Sequence, residues 1–101
     1  DQWKLRGLPL TDRGSRVSLS ADGTFLAAGR YGEEGGMVNI FHYDNMIQDW
    51  TSIGTIENQY IEGDLSDYYF GYSVALSDNG EVVAIGHPGK TGSTAYAYDD
   101  D

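Results

Sequence analysis

One pattern occurs twice in this sequence, so the fold must accommodate two equivalent units. Four elements recur: WKLRG at 3–7 and WTSIG at 50–54, VSLSADG at 17–23 and VALSDNG at 74–80, FLAAG at 25–29 and VVAIG at 82–86, NIFHYD at 39–44 and TAYAYD at 94–99. Val17 and Val74 are 57 residues apart, whereas Trp3 and Trp50 are 47 apart. The extra residues fall within the polar stretch 57–67. Such self-similarity is the signature of repeat architectures, in which each unit is one supersecondary structure.

Each copy is predicted to form four short strands. The first strand of each copy places apolar side chains at alternate positions, which is typical of a strand with one buried face. It runs into Asp22-Gly23 or Asn79-Gly80, pairs that supply the positive φ angles of a tight hairpin turn. The second strand is a nearly continuous apolar run, the third is aromatic and alternating, and the fourth begins at the Trp. No segment has helical periodicity, so we expect an all-β fold.

Four-stranded repeats of this length suit the blades of a β-propeller. Small residues such as Ser18 and Ala27 fit the crowded inner strands, and aromatics such as Phe41 fit the wider outer part. A β-sandwich could use the same strands, but the repeat argues against it. We therefore predict two four-stranded antiparallel blades, offset by one strand, within a larger ring or an oligomeric propeller. Residues 1–49 form the first repeat with its preceding Trp strand, and residues 50–101 form the second, which lacks its own final strand.

This offset leaves two alternatives for closing the ring, because two blades are too few for a propeller. Several copies could assemble, each lending residues 3–7 as a strand to a neighbour. Alternatively, the sequence is an excerpt of a longer repeat array. Either arrangement would cover strand edges that otherwise invite association.

Phe70-Gly71 followed by Gly86-His87-Pro88 resembles the FG-GAP repeat, which builds the propeller heads of integrin alpha chains. The surrounding residues 72–77 and 83–86 are also similar to it, while the Trp-x-x-x-Gly strand resembles repeat arrays of secreted or surface proteins. The resemblance implies a propeller that binds proteins at an extracellular or cell-surface location, with a lumenal location still open. Integrin-type repeats often hold calcium in the first hairpin. Here that hairpin is too short to offer the six to eight oxygen ligands that calcium needs, so no cofactor is expected.

The composition excludes several classes of partner. The formal net charge is −10, with 16 acidic residues against six basic ones, so no basic stripe is available for nucleic acid. No apolar run is long enough to span a membrane. The absence of cysteine excludes disulfides and thiolate chemistry.

No catalytic constellation can be assigned, so we expect that the protein is not an enzyme. His42 lies between Phe41 and Tyr43 on an alternating strand and is explained by a surface or inter-blade position. His87 precedes Pro88 at a strand end and could contact a partner, although a turn explains it as well. Turn chemistry accounts for the Ser and Asp residues nearby.

The predicted function is that of a non-enzymatic interaction scaffold that contacts a protein partner or neighbouring blades. Tyrosine suits contact surfaces because it combines a large rigid area with a polar tip. The candidate binding residues are Tyr60, Asp64, Asp67, Tyr68, Tyr69 and His87. Asp64 and Asp67 are also the weaker candidates for a metal site, with Glu62 and Asp78 nearby. The alternative is a carbohydrate-binding propeller, or a fragment of a propeller glycan-active enzyme, because aromatics beside Asp and Asn suit sugar stacking.

Overall fold

The computed structural model describes residues 2–10, 16–31, 36–57, 69–88 and 92–99, and it is all-β. Seven strands form two antiparallel sheets. Sheet 1 has the order β1-β2-β3-β4, with β1 at Arg16–Leu19, β2 at Phe25–Arg30, β3 at Met37–Asp44 and β4 at Asp49–Glu57. Sheet 2 has the order β5-β6-β7, with β5 at Ser73–Leu76, β6 at Val82–His87 and β7 at Gly92–Ala97.

The first hairpin of sheet 1 is closed by the side chains of its own turn. The Gly23 N–H donates to the Ser20 carbonyl (3.0 Å), and Gly23 has a φ of 76°, a value that favours glycine. The Asp22 carboxylate accepts from the Thr24 N–H (3.0 Å), the Thr24 hydroxyl (2.7 Å) and the Ser20 hydroxyl (3.1 Å). Asp22 itself has no positive φ, so this residue acts as an acceptor in the turn.

The hairpin of sheet 2 repeats three of these four bonds at the equivalent positions; the Thr24 hydroxyl bond has no counterpart, because Glu81 stands there. The Gly80 N–H donates to the Ser77 carbonyl (3.0 Å), and Gly80 also has a φ of 76°. The Asn79 side-chain oxygen accepts from the Glu81 N–H (3.0 Å) and the Ser77 hydroxyl (2.9 Å). An amide oxygen therefore replaces the carboxylate of the first copy without changing the turn.

Strand register is also the same in both copies. Arg16 pairs with Gly29 in sheet 1, and Ser73 pairs with Gly86 in sheet 2, each 57 residues further on. Between the second and third strands, Leu26 pairs with Phe41, and the equivalent Val83 pairs with Tyr96. The two sheets are therefore structural copies, and sheet 2 lacks the counterpart of β4 among the residues that the structure describes.

The two sheets pack face to face with opposite faces in contact. We call face A the side that carries Ala27 in sheet 1 and its equivalent Ala84 in sheet 2; face B carries Ala28 and Ile85. The core joins face A of sheet 1 to face B of sheet 2 and contains Ala27, Val38, Phe70, Val83 and Ile85. Ala84 is exposed on the far side of sheet 2. Face A of sheet 2 is therefore open. Face B of sheet 1 buries Ala28, Phe41 and Tyr43, but it exposes Val17 and Leu19 of β1.

The predicted strand at residues 3–7 is not formed, since residues 2–10 have no strand pairing. The segment instead lies against face B of sheet 1, where the Arg6 guanidinium stands 3.8 Å from the centre of the Tyr43 ring. The Trp50 indole N–H donates to the Arg6 carbonyl (3.0 Å), and the Leu8 N–H donates to the Asp49 carboxylate (2.9 Å). A strand needs a neighbour for its backbone groups, and the described residues offer none at this position.

Candidate functional site

A cluster of three tyrosine rings and one guanidinium lies at one end of the interface between the sheets. The rings of Tyr31 and Tyr69 stack at 6.1 Å, and Tyr72 meets Tyr31 at 5.1 Å and Tyr69 at 5.9 Å. The Arg16 guanidinium lies 4.7 Å from the Tyr72 ring and 5.6 Å from the Tyr31 ring. We call Arg16, Tyr31, Tyr69 and Tyr72 the tyrosine–arginine cluster.

Three chain segments meet to form this cluster, and Tyr69 and Tyr72 belong to the same one. Arg16 is the first residue of β1, Tyr31 directly follows β2, and Tyr72 directly precedes β5. Gly71 has a φ of 86°, and a side chain there would come within 3.0 Å of the Met37 carbonyl. Glycine is therefore required for the backbone of sheet 2 to approach sheet 1 this closely, and that approach brings Tyr72 onto Arg16.

The cluster combines an exposed aromatic surface with a partly buried charge. Tyr69 and Tyr72 are exposed and Tyr31 is half-buried. The Arg16 Nε atom is buried and makes no hydrogen bond among the residues that the structure describes. A guanidinium held over aromatic faces contributes about 0.5–2 kcal/mol of cation–π attraction and keeps its outer N–H groups for other acceptors.

A groove of about 730 Å³ separates the outer strands of the two sheets at another position. Its lining includes Phe25, Ile53, Leu76, Tyr96, Tyr98 and Asp99. In sheet 1 the third strand is covered along its edge by β4, whereas the equivalent β7 pairs only with β6 in the described residues. All six residues of β7 are exposed. The groove is therefore bordered by an unpaired strand edge.

The structure describes two of the six predicted binding residues, and it places them differently. Tyr69 belongs to the tyrosine–arginine cluster and is exposed. His87 is only 3% exposed and meets Phe70 edge to face at 5.5 Å, so packing explains this residue. The other four, Tyr60, Asp64, Asp67 and Tyr68, lie outside the described residues.

Asp22, Asp49 and Asp78 each contribute to the structure around them. The Asp78 carbonyl accepts from the Ala21 N–H (2.9 Å) and so joins the turns of the two sheets. The Thr24 hydroxyl, followed by the Thr24 N–H, lowers the pKa of Asp22, and the Leu8 N–H, followed by the Trp50 N–H, lowers that of Asp49. Within the described part of the chain, no three metal-ligating side chains come together.

Sequence analysis alone did not predict three members of the cluster. Arg16, Tyr31 and Tyr72 lie far apart along the chain, and none is among the candidate binding residues that the sequence suggests. The sequence nevertheless contains a pattern that could have predicted the position of Tyr31 and Tyr72. Gly29-Arg30-Tyr31 and Phe70-Gly71-Tyr72 both flank inner strands, whose ends meet when two repeats pack face to face.

Comparison with known proteins adds no assignment: no family model, curated protein or solved structure matches the chain. None of the described residues forms a helix with the length and apolar character needed to cross a membrane.

Proposed function

We propose that this chain is a non-enzymatic interaction module, built from two propeller-type blades, that contacts a protein partner through its tyrosine–arginine cluster. The supporting observation is the cluster itself, in which the three ring centres lie 5.1–6.1 Å apart and the guanidinium lies 4.7 Å and 5.6 Å from two of them. Secreted or surface-exposed propeller repeats are the setting that the sequence resemblance suggests.

The mode of sheet packing supports blades over a closed sandwich. In a sandwich of two sheets, the remaining faces are solvent-facing and polar. Here face B of sheet 1 exposes Val17 and Leu19 at its β1 side, and the open face A of sheet 2 exposes Val82. Packing face A of one unit on face B of the next is a heterologous contact, which repeats until it closes into a ring or extends as an array.

The chemistry of the cluster supports a protein partner. Tyrosine and arginine are enriched at protein interfaces because rigid rings bury a large area at low entropic cost. The rings also order the guanidinium before a partner arrives, which lowers the entropy lost on binding. Arginine matches carboxylates and backbone carbonyls with parallel hydrogen bonds. We therefore expect a partner that offers an acidic side chain or a carbonyl beside an apolar residue.

Photocrosslinking tests this proposal. Tyr69→benzoylphenylalanine is expressed in the cells that naturally make the protein, and Met46→benzoylphenylalanine is the control, because Met46 is 93% exposed in the turn between β3 and β4. We expect a discrete heavier adduct from position 69 alone, reduced at least fivefold when Arg16→Ala is added. An equal yield of adduct from both positions, or an adduct whose yield does not change when Arg16→Ala is added, would refute the assignment of the cluster.

A carbohydrate ligand is the second candidate, and the exposed ring of Tyr69 favours it, because sugars stack on aromatic faces. A glycan array with the intact chain tests this function. Binding that is lost with Tyr69→Ala and retained with Met46→Ala would replace the protein partner by a glycan. An array without hits leaves the protein partner as the proposal.

A further inference from the structure

We propose that the outer edge of β7, which pairs with no strand among the described residues, binds residues 2–10 of a second copy of this chain, which adds them as a fourth strand of sheet 2. This inference rests on the blade-like organisation in the proposed function and names a further partner for it. Edge-strand addition is a common mode of protein recognition, because main-chain hydrogen bonds supply affinity and alternate side chains supply specificity.

The pairing of β3 with β4 supplies the template for this contact. Tyr43 lies opposite Trp50 in the register, and the two rings meet edge to face at 5.3 Å. Through the repeat, Tyr98 is the counterpart of Tyr43, and Trp3 is the counterpart of Trp50. Tyr98 is 67% exposed and Trp3 is 99% exposed. Among the described residues, neither Tyr98 nor Trp3 has the ring neighbour that its equivalent has.

The same template fixes the register and the direction of the side chains. Phe41 pairs with Ser52, so Tyr96 would pair with Leu5. Trp3 and Leu5 alternate along the segment, and alternate residues of a strand share a face. Both would lie on face B of sheet 2, beside Tyr96 and Tyr98 in the groove. Two large exposed apolar side chains of one copy would thus fill the open groove of another.

The backbone of β7 is oriented for this pairing. The Tyr98 N–H donates to the Glu81 carbonyl (2.7 Å), toward β6. Because successive N–H groups along a strand point to opposite edges, those of Ala95 and Ala97 point to the outer edge. Their equivalents in β3, Ile40 and His42, pair with Gly54 and Thr51 of β4.

Residues 2–10 lie against sheet 1 in the way that β4 lies against sheet 2. Ile53 of β4 in sheet 1 and Tyr98 of sheet 2 both line the groove. The equivalent residues are Arg6 and Tyr43, and the Arg6 guanidinium does lie over the Tyr43 ring at 3.8 Å. The segment thus occupies, relative to sheet 1, the position that β4 occupies relative to sheet 2. A second copy could dock β7 onto it while these contacts are kept.

Charge favours the same occupant. Residues 2–10 carry Lys4 and Arg6 and no acidic residue, although the whole chain has a net charge of −10. Asp99 follows β7, and Asp100 and Asp101 follow it in the sequence. Opposite charges on the two partners steer their encounter and oppose the pairing of one acidic edge with another.

The first test is the solution mass of the intact chain, measured by light scattering during size-exclusion chromatography. We expect a discrete species of at least twice the 11.1 kDa of one chain. Ala97→Pro removes an N–H from the outer edge, where proline is tolerated, and should return the mass to 11.1 kDa with an unchanged circular dichroism spectrum. Ala97→Thr keeps the N–H and should keep the oligomer. Trp3→Ala should dissociate it, whereas Met46→Ala should not.

A second test uses the absence of native cysteine. Leu5→Cys and Tyr96→Cys chains are mixed under oxidising conditions, and we expect an intermolecular disulfide between the two variants, because directly opposite residues place their Cβ atoms about 4.5–5.5 Å apart. Leu5→Cys mixed with Met46→Cys is the control. A wild-type monomer at about 100 µM, or equal crosslinking in both mixtures, would overturn this inference. Either result would leave crosslinking at Tyr69 unaffected, so the two proposals fail separately.

Discussion

The packing between the two sheets can be tested by comparing the stability cost of Gly80→Ala with that of Gly23→Ala. The two glycines are equivalent in the repeat, and both have a φ of 76°. At Gly23 an added Cβ atom would have no neighbour within 4 Å, whereas at Gly80 it would overlap the ring of Phe25 and lie 2.9 Å from the Phe25 Cβ. Phe25 belongs to sheet 1 and Gly80 to sheet 2, so only the second substitution disturbs the interface.

The magnitudes follow from these two environments. A non-glycine residue in the left-handed region costs about 1–2 kcal/mol, and both variants should lose this amount. Forcing an extra methyl group into a packed contact typically costs a further 1–3 kcal/mol, roughly, because the neighbouring side chain leaves its preferred position. We therefore expect Gly80→Ala to lower the free energy of unfolding by about 1–3 kcal/mol more than Gly23→Ala.

Urea unfolding followed by tryptophan fluorescence supplies both values. Phe25→Leu then serves as a double-mutant test, since a smaller side chain makes room for the new methyl group. The excess cost of Gly80→Ala should shrink in the Phe25→Leu background, while the cost of Gly23→Ala should stay the same. Equal costs for the two glycines, or an excess that Phe25→Leu does not change, would refute the packing of face A on face B at this point.

Two further predictions concern the core and the turns. Ile85→Ala should lower the free energy of unfolding by about 2–5 kcal/mol, because Ile85 is 0% exposed and its removal leaves a cavity, whereas the exposed Val82→Ala should cost less than about 1 kcal/mol in the same urea titration. Asp22→Asn should match the wild type at pH 7, because Asn79 makes the equivalent bonds with an amide oxygen. Hydrogen bonds lower the pKa of Asp22 in the folded state, so its contribution is present above about pH 4 and is lost as the pH falls through the lowered pKa. The wild type should therefore lose stability below pH 4 relative to Asp22→Asn, and identical acid titrations of the two would contradict this.

The repeat predicted much of the fold, because local sequence decides hairpins. The Asp22-Gly23 and Asn79-Gly80 turns lie where expected, and an all-β architecture with antiparallel sheets is confirmed. The expectation that each pair supplies positive φ holds only for its glycine. Asp22 and Asn79 are selected instead for the hydrogen bonds that their side-chain oxygens accept.

Other features depended on tertiary contacts that a linear pattern does not encode. The WKLRG segment shares the Trp-x-x-x-Gly pattern of WTSIG, yet only the second copy follows a hairpin that brings it beside β3. His87 resembles a turn residue because it precedes Pro88, but its place in β6 buries it against Phe70. The tyrosine–arginine cluster could not be predicted from the sequence, because its members meet only through the packing of the two sheets, which decides which strand ends lie together.

The connections between the second and third strands differ in length without changing the pairing. Six residues separate β2 from β3, and four separate β6 from β7, yet Arg30 pairs with Met37 as His87 pairs with Gly92. Chain length at this point is therefore decoupled from the hydrogen-bonded ladder on either side. The connection between β6 and β7 is a natural site for peptide grafting or loop diversification, because the cost of closing a longer loop rises slowly with its length. The connection between β2 and β3 is less suitable, since Tyr31 belongs to the tyrosine–arginine cluster and Gly36 packs against the Phe70 carbonyl.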